Sequence, residues 1–281
     1  MAATGEFDLR VAGGRFHARR FGAPDDPLVI CLPGLSANLA GFDYVAERVA
    51  GDGLQLVAVD LRGRGRSELT PLGTYGWPAH ARDCLDLASA LGADRFSVVG
   101  QSMGGAVAME AAALAGARIR RLVLIDICGD PDSSTVPLIR AAVERLGTVH
   151  PSLEGYLAAV RGLGTIRPWS EYWERYFEYE LEPVAGGVRA RSDRGAVLED
   201  LTYGEEHSAH DLWPRLTMPV LLLRATQELQ PGAGHIVPVA ERDRFTGEVP
   251  GVRVVEVDVN HYGINAHRQS AAAIREFLTQ A

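Results

Sequence analysis

One short stretch leaves the backbone of this chain little choice. Phe96 to Val99 is an apolar run of strand type. Ala106, Val107, Ala108 and Met109, followed by Ala111, Ala112 and Ala113, read as a helix. Between them lies Gly100-Gln101-Ser102-Met103-Gly104, a Gly-x-Ser-x-Gly sequence. A strand enters a helix this abruptly only through a tight turn. The serine at its apex takes a strained backbone conformation, and only glycines on either side leave room for it. The turn lifts the Ser102 hydroxyl out of the sheet, where a base can reach it. The N-terminal amides of the following helix point at the same spot and favour negative charge there. A bare Gly-x-Ser-x-Gly is common; in strand–turn–helix context it marks Ser102 as a candidate nucleophile.

The rest of the chain repeats the alternation. Residues 7–11 and 15–20 flank Gly13-Gly14, a hairpin signal. Continuous apolar runs at Leu28-Val29-Ile30-Cys31-Leu32, 54–59, Leu122-Val123-Leu124-Ile125, 219–224 and 252–257 read as strands buried on both faces. Helical spacing is expected over 39–50, 78–91 and 266–278. Such alternation implies an α/β fold with a mostly parallel sheet covered on both faces, and ligands at the strands' C-terminal ends. Ser36, Ser102, Asp126, Glu228 and His261 all follow strand ends.

Residues 129–213 break this rhythm. Helical patterns at 136–146 and 153–163 precede an aromatic stretch at 169–179, and no clean strand is expected. The chain therefore divides into a core of residues 1–128 and 214–281 and an inserted helical cap of 129–213. Three of the four tryptophans, Trp169, Trp173 and Trp213, lie in the insertion. Aromatics at helical spacing are usually core. The inner face of a cap is also a pocket roof, so some of Trp169, Trp173, Tyr176 and Phe177 are expected to contact substrate, and Ser36, after a strand end, is a further candidate contact.

Composition narrows the function classes. With 281 residues, 47% hydrophobic and 23% charged, the chain can bury one large α/β core. A net charge of -8 argues against nucleic-acid and anionic-membrane partners. No segment approaches the roughly 20 apolar residues that span a bilayer, and residues 1–6 lack the basic and apolar runs of a signal peptide. Cys31, Cys84 and Cys128 have no metal-ligand spacing and read as small buried hydrophobes, consistent with a reducing cytoplasm. The arginine- and glycine-rich loop at 62–67 lacks the Gly-Lys-Ser/Thr of a phosphate cradle.

The Gly-Gln-Ser-Met-Gly-Gly turn, Leu32-Pro33-Gly34-Leu35, the run from Asp60 to Ser67, and Asn260-His261 together resemble the α/β-hydrolase family over nearly the whole chain. The resemblance implies that Leu35 and Met103 offer oxyanion amides. Pro33 stands where the family often has histidine. It also implies a base after the last strand, which is His261 in Asn260-His261-Tyr262-Gly263, with His235 a distant alternative. His17, His80, His150, His207 and His210 lie elsewhere. The acid stays open. The commonest position, after the strand at 219–224, reads Ala225-Thr226-Gln227-Glu228, with the family's glycine lost and its Asp replaced by Glu. Some relatives carry the acid one strand earlier, where this chain has Asp126. The altered loop Pro231-Gly232-Ala233-Gly234 tips the choice toward Asp126 over Glu228.

The chemistry expected is acyl transfer to water through an acyl-enzyme, on a small-to-medium ester or lactone, needing no cofactor or metal. Amide or C–C cleavage with the same triad is a second reading, in which cap arginines such as Arg161, Arg167 and Arg175 could hold a substrate carboxylate. A ligand receptor with little turnover is a third. Dehalogenases and epoxide hydrolases of similar appearance use Asp as nucleophile, which Ser102 argues against. The partner expected is a small-molecule substrate. The sequence leaves homo-oligomerisation open.

Overall fold

The structure, a computed structural model, describes residues 5–51 and 53–280. The chain opens with a hairpin of β1 (Gly5–Val11) and β2 (Gly14–Phe21), paired antiparallel with Val11 opposite Gly14. Next come β3 (Leu28–Leu32), α1 (Asp43–Val49), β4 (Gln55–Val59), α2 (Trp77–Ala90), β5 (Phe96–Gln101), α3 (Met103–Ala115) and β6 (Ile119–Ile125). Every residue of β3, β4 and β5 is buried, as strands covered on both faces require.

After β6 the chain leaves the sheet for α4 (Val136–Glu144), α5 (Leu153–Gly162) and α6 (Glu171–Glu180). It then forms β7 (Leu181–Val184), β8 (Gly187–Ala190) and α7 (Arg194–Glu206). It returns as β9 (Val220–Ala225), α8 (Val239–Glu248), β10 (Arg253–Val257) and α9 (Arg268–Thr279). The insertion is thus not free of strands: β7 and β8 pair antiparallel around a turn in which Gly186 has φ 88°. Pro183 and four-residue lengths hide this ribbon in the sequence, because proline supplies no ladder donor and short runs show no alternation.

The main sheet has the order β1-β2-β4-β3-β5-β6-β9-β10. The pairs from β4 through β10 are parallel, and the first two pairs are antiparallel. The chain moves outward from β3 to β4, then crosses back to place β5 on the other side of β3. The loops after β3 and β5 therefore diverge and leave a crevice at the strand ends. Leu35 follows one and Ser102 the other. Two apolar layers flank the sheet: one packs α2 and α3 residues such as Leu87 and Met109, the other α1, α9 and the aromatic face of α6.

Candidate active site

Ser102 links β5 to α3 with φ 52° and ψ -128°, a left-handed backbone that a non-glycine residue adopts at a cost. Its amide donates to the Ile125 carbonyl at 3.0 Å, tying the turn to the end of β6. The neighbouring glycines are spatial necessities. A Cβ on Gly100 would stand 2.3 Å from the Gly104 carbonyl oxygen, and one on Gly104 would stand 2.1 Å from that of Leu32. This close crossing brings the start of α3 against the loop after β3, which carries Gly34 and Leu35. Arg64, fully buried, donates through Nε to the Leu35 carbonyl at 3.0 Å, and Ser192 Oγ donates to the Ser36 carbonyl at 2.9 Å. The loop expected to supply one oxyanion amide is thus held from behind at two successive carbonyls.

Asp126, one residue beyond β6, also has a left-handed backbone, with φ 51°. Its carboxylate is 1% exposed and fixed at both oxygens. Oδ1 accepts from the Ala225 amide at 2.9 Å, and Oδ2 accepts from His261 Nδ1 at 2.8 Å. An ionised carboxylate only accepts, so Nδ1 carries the proton and Nε2 of the neutral ring is left as a lone pair. His261 precedes α9 and is itself buried. Its preceding residue, Asn260, is a strut: Nδ2 donates to the Thr165 carbonyl at 2.6 Å, and Oδ1 accepts from the Gly263 amide at 3.1 Å.

Glu228 is elsewhere. Its Oε2 accepts from the Gly232 amide at 2.7 Å within its own loop, and His261 faces Asp126 instead. His235 contacts the Thr226 carbonyl at 3.2 Å. His17, His80 and His210 face Asp8, Asp200 and Glu241, His207 stacks on Tyr203, and His150 meets the Tyr156 ring. Burial pushes the Cys84 and Cys128 thiols up to about 12 and raises that of Cys31, so none is a thiolate nucleophile at neutral pH.

The aromatic residues of α6 form a packed layer. Trp173, Tyr176 and Phe177 are buried against Leu39, Ala40, Phe42 and Ile264, while Trp169 is partly buried and stacks on Phe177 at 5.8 Å. Trp173 connects this layer to His261 through Tyr262, its ring 6.4 Å from that of Tyr262, which lies 5.8 Å from the His261 ring. Arg161 sits over Trp169 and pairs with Glu174; Arg167 reaches the Glu228 carbonyl at 3.5 Å. Sequence reasoning passed over Gln101, whose Nε2 lies 3.1 Å from His261 Nε2. Its place beside Ser102 was the available signal.

A family model described as the alpha/beta hydrolase fold matches residues 27–264. The chain belongs to the α/β-hydrolase fold family. Among curated members of related sequence, the chain is similar to N-formylmaleamate deformylase of Pseudomonas putida, at 37% identity over 123 residues, 41% of the chain and 45% of the relative. It is similar to 3-hydroxybutyrate-oligomer hydrolase of Cupriavidus necator at 34% over 182 residues, 61% of the chain and 59% of the relative. The chain thus spans about half the length of these relatives. The solved structure of E-2-(acetamidomethylene)succinate hydrolase superposes with a TM-score of 0.88 at 22% identity, covering 98% of this chain and 99% of that one. At that identity the likeness concerns the α/β-hydrolase fold alone.

Proposed function

We propose that this chain is a serine hydrolase that cleaves a small-to-medium ester or lactone through Ser102, His261 and Asp126. The observation that carries the reading is the 2.8 Å bond from His261 Nδ1 to the buried Asp126, next to a serine held in a left-handed turn at a helix start. Ser102 Oγ attacks the carbonyl carbon while His261 Nε2 takes its proton. Asp126 keeps the ring in the required tautomer and stabilises the imidazolium. The Leu35 and Met103 amides hold the oxyanion. His261 then protonates the leaving oxygen, and water, activated by the same ring, releases the acid. Residues 129–213 act as a cap, with Trp173 and Tyr262 as an aromatic wall beside the base. Three buried, unpaired thiols support a reducing, cytoplasmic setting.

The similarity to an oligomer hydrolase named for 3-hydroxybutyrate favours ester cleavage. The similarity to a protein named as a deformylase favours a second reading, C–N cleavage by the same triad. The deciding experiment is turnover of a panel of short esters, lactones and formyl amides by wild type, Ser102→Ala, Asp126→Asn and Glu228→Gln. We expect ester or lactone turnover, its loss in Ser102→Ala, a drop of about 10³–10⁴ in Asp126→Asn, and a change of less than about threefold in Glu228→Gln. Glu228→Gln as the more damaging change would remove Asp126 from the triad. Amide turnover alone would move the assignment to the second reading.

A further inference from the structure

Each ring nitrogen of His261 has one partner in the fold. Nδ1 donates to Asp126, so the Nε2 of the neutral ring is an acceptor. That acceptor faces the Gln101 carboxamide, Nε2 to Nε2, at 3.1 Å. The amide is therefore the donor, and Ser102 must compete with its own sequence neighbour for a single lone pair. Gln101 is fixed for this contact. It is the last residue of β5, is 7% exposed, and packs so tightly on Gly34 that a Cβ there would stand 2.5 Å from Gln101 Oε1. Its carboxamide fills the space between the loop carrying Leu35 and the imidazole.

We propose that Gln101 is a positioning residue that holds the base at rest, its carboxamide occupying His261 Nε2 until substrate entering beside Gly34 displaces it. The inference rests on the reading of Ser102 as nucleophile and His261 as base. At rest the amide N–H stabilises the neutral ring and disengages Ser102. When the proton of Ser102 passes to Nε2, that nitrogen changes from acceptor to donor. The displaced carboxamide leaves the new N–H free to serve the leaving oxygen, and no covalent bond to Gln101 forms or breaks.

Two substitutions push in opposite directions. Gln101→Met keeps the volume and removes the donor, so labelling of Ser102 by a fluorophosphonate at neutral pH speeds up by about two- to tenfold. Gln101→Glu places a carboxylate against Nε2 and holds a proton there. Labelling then slows by about tenfold or more, and the acid limb of its pH profile moves up by about one pH unit or more. The other groups facing the ring are Asp126 at Nδ1 and the Tyr262 ring, with Arg145 and Glu180 acting on Tyr262 in opposite directions. All of these are constant across the series, so a displaced limb belongs to position 101. A purely structural role slows both variants and leaves the limb in place, and that result overturns the proposal. A nitrogen-resolved NMR titration of His261 in Ser102→Ala, with and without Gln101→Glu, tests the contact without any reaction. An upward midpoint shift of about one unit supports it, and no shift overturns it. Wild type that resists labelling defeats the nucleophile reading and leaves the titration to decide the role of Gln101.

Discussion

Gly104 and Gly34 look alike in the sequence and behave differently in the fold. A methyl on Gly104 meets the Leu32 and Pro33 carbonyl oxygens at 2.1 and 2.5 Å, and both belong to backbone that cannot yield. Gly104→Ala is expected to cost about 3 kcal/mol, read as a lowered denaturation midpoint. A methyl on Gly34 meets the far end of Gln101 at 2.5 Å, which can swing aside, and Ser102 Cβ at 3.3 Å, which needs only a small shift. Gly34→Ala should stay folded, within about 1 kcal/mol of wild type, and label at Ser102 as Gln101→Met does. Ser102 and His261 each sit in a local pattern that the sequence displays, a strand–turn–helix and a post-strand loop. Which carboxylate faces His261 does not show in spacing. Asp126 and His261 are 135 positions apart, and only sheet register sets which carboxylate reaches Nδ1.

At the scale of elements, α5 and α6 meet through a partly buried polar contact. Tyr156 of α5 donates to Glu180 Oε1 at 2.7 Å, and no residue of α5 is fully buried. Burial pushes the Glu180 carboxyl up to about 7, with the Tyr156 and Tyr176 hydroxyls pulling partly the other way. A carboxyl raised from 4.5 gives stability that is full below pH 4.5 and is lost as pH rises through 7. Glu180→Gln keeps an acceptor and removes the charge. It should match wild type within about 1 kcal/mol at pH 5 and exceed it by roughly 2–3 kcal/mol at pH 8, measured by urea denaturation at both values. The aromatic spacing of α6 announced a helix with one apolar face. Whether that face packs as core or roofs a site depended on what lies opposite, and the short helix at Leu39–Phe42 joins it in one apolar cluster.

At the scale of the molecule, the insertion is fastened to the core through Asp200 on α7. Its Oδ1 accepts from the Gly76 amide at 2.6 Å, while Oδ2 meets Arg64 Nη2 at 2.6 Å and His80 Nε2 at 2.9 Å. Arg64 in turn holds the Leu35 carbonyl, so the clamp reaches the loop after β3. Burial alone would raise this carboxyl, but His80 and Arg64 outweigh it and bring it down to about 2 from 3.8. A depressed carboxyl stabilises above the unfolded value and loses that contribution as pH falls from about 5 toward 2. Asp200→Asn strands a buried guanidinium and should cost about 3 kcal/mol or more at pH 7. The gap to wild type should narrow by about 1 kcal/mol by pH 3 and by about 2 kcal/mol by pH 2, followed by chemical denaturation across that range. A gap constant with pH would assign the loss to packing instead of charge.

The alternation of strands and helices, the serine turn and the loop that carries His261 are all legible in the sequence. These depend on local steric and hydrophobic periodicity, which neighbouring residues carry between them. It is the packing of the folded chain that sets Asp126 against His261 Nδ1, brings the Gln101 carboxamide to Nε2 of the same ring, and lets α7 brace Leu35 through Arg64. Each of those pairings joins residues far apart in the chain at one end of the sheet, and strand order and register, not local propensity, set their distances.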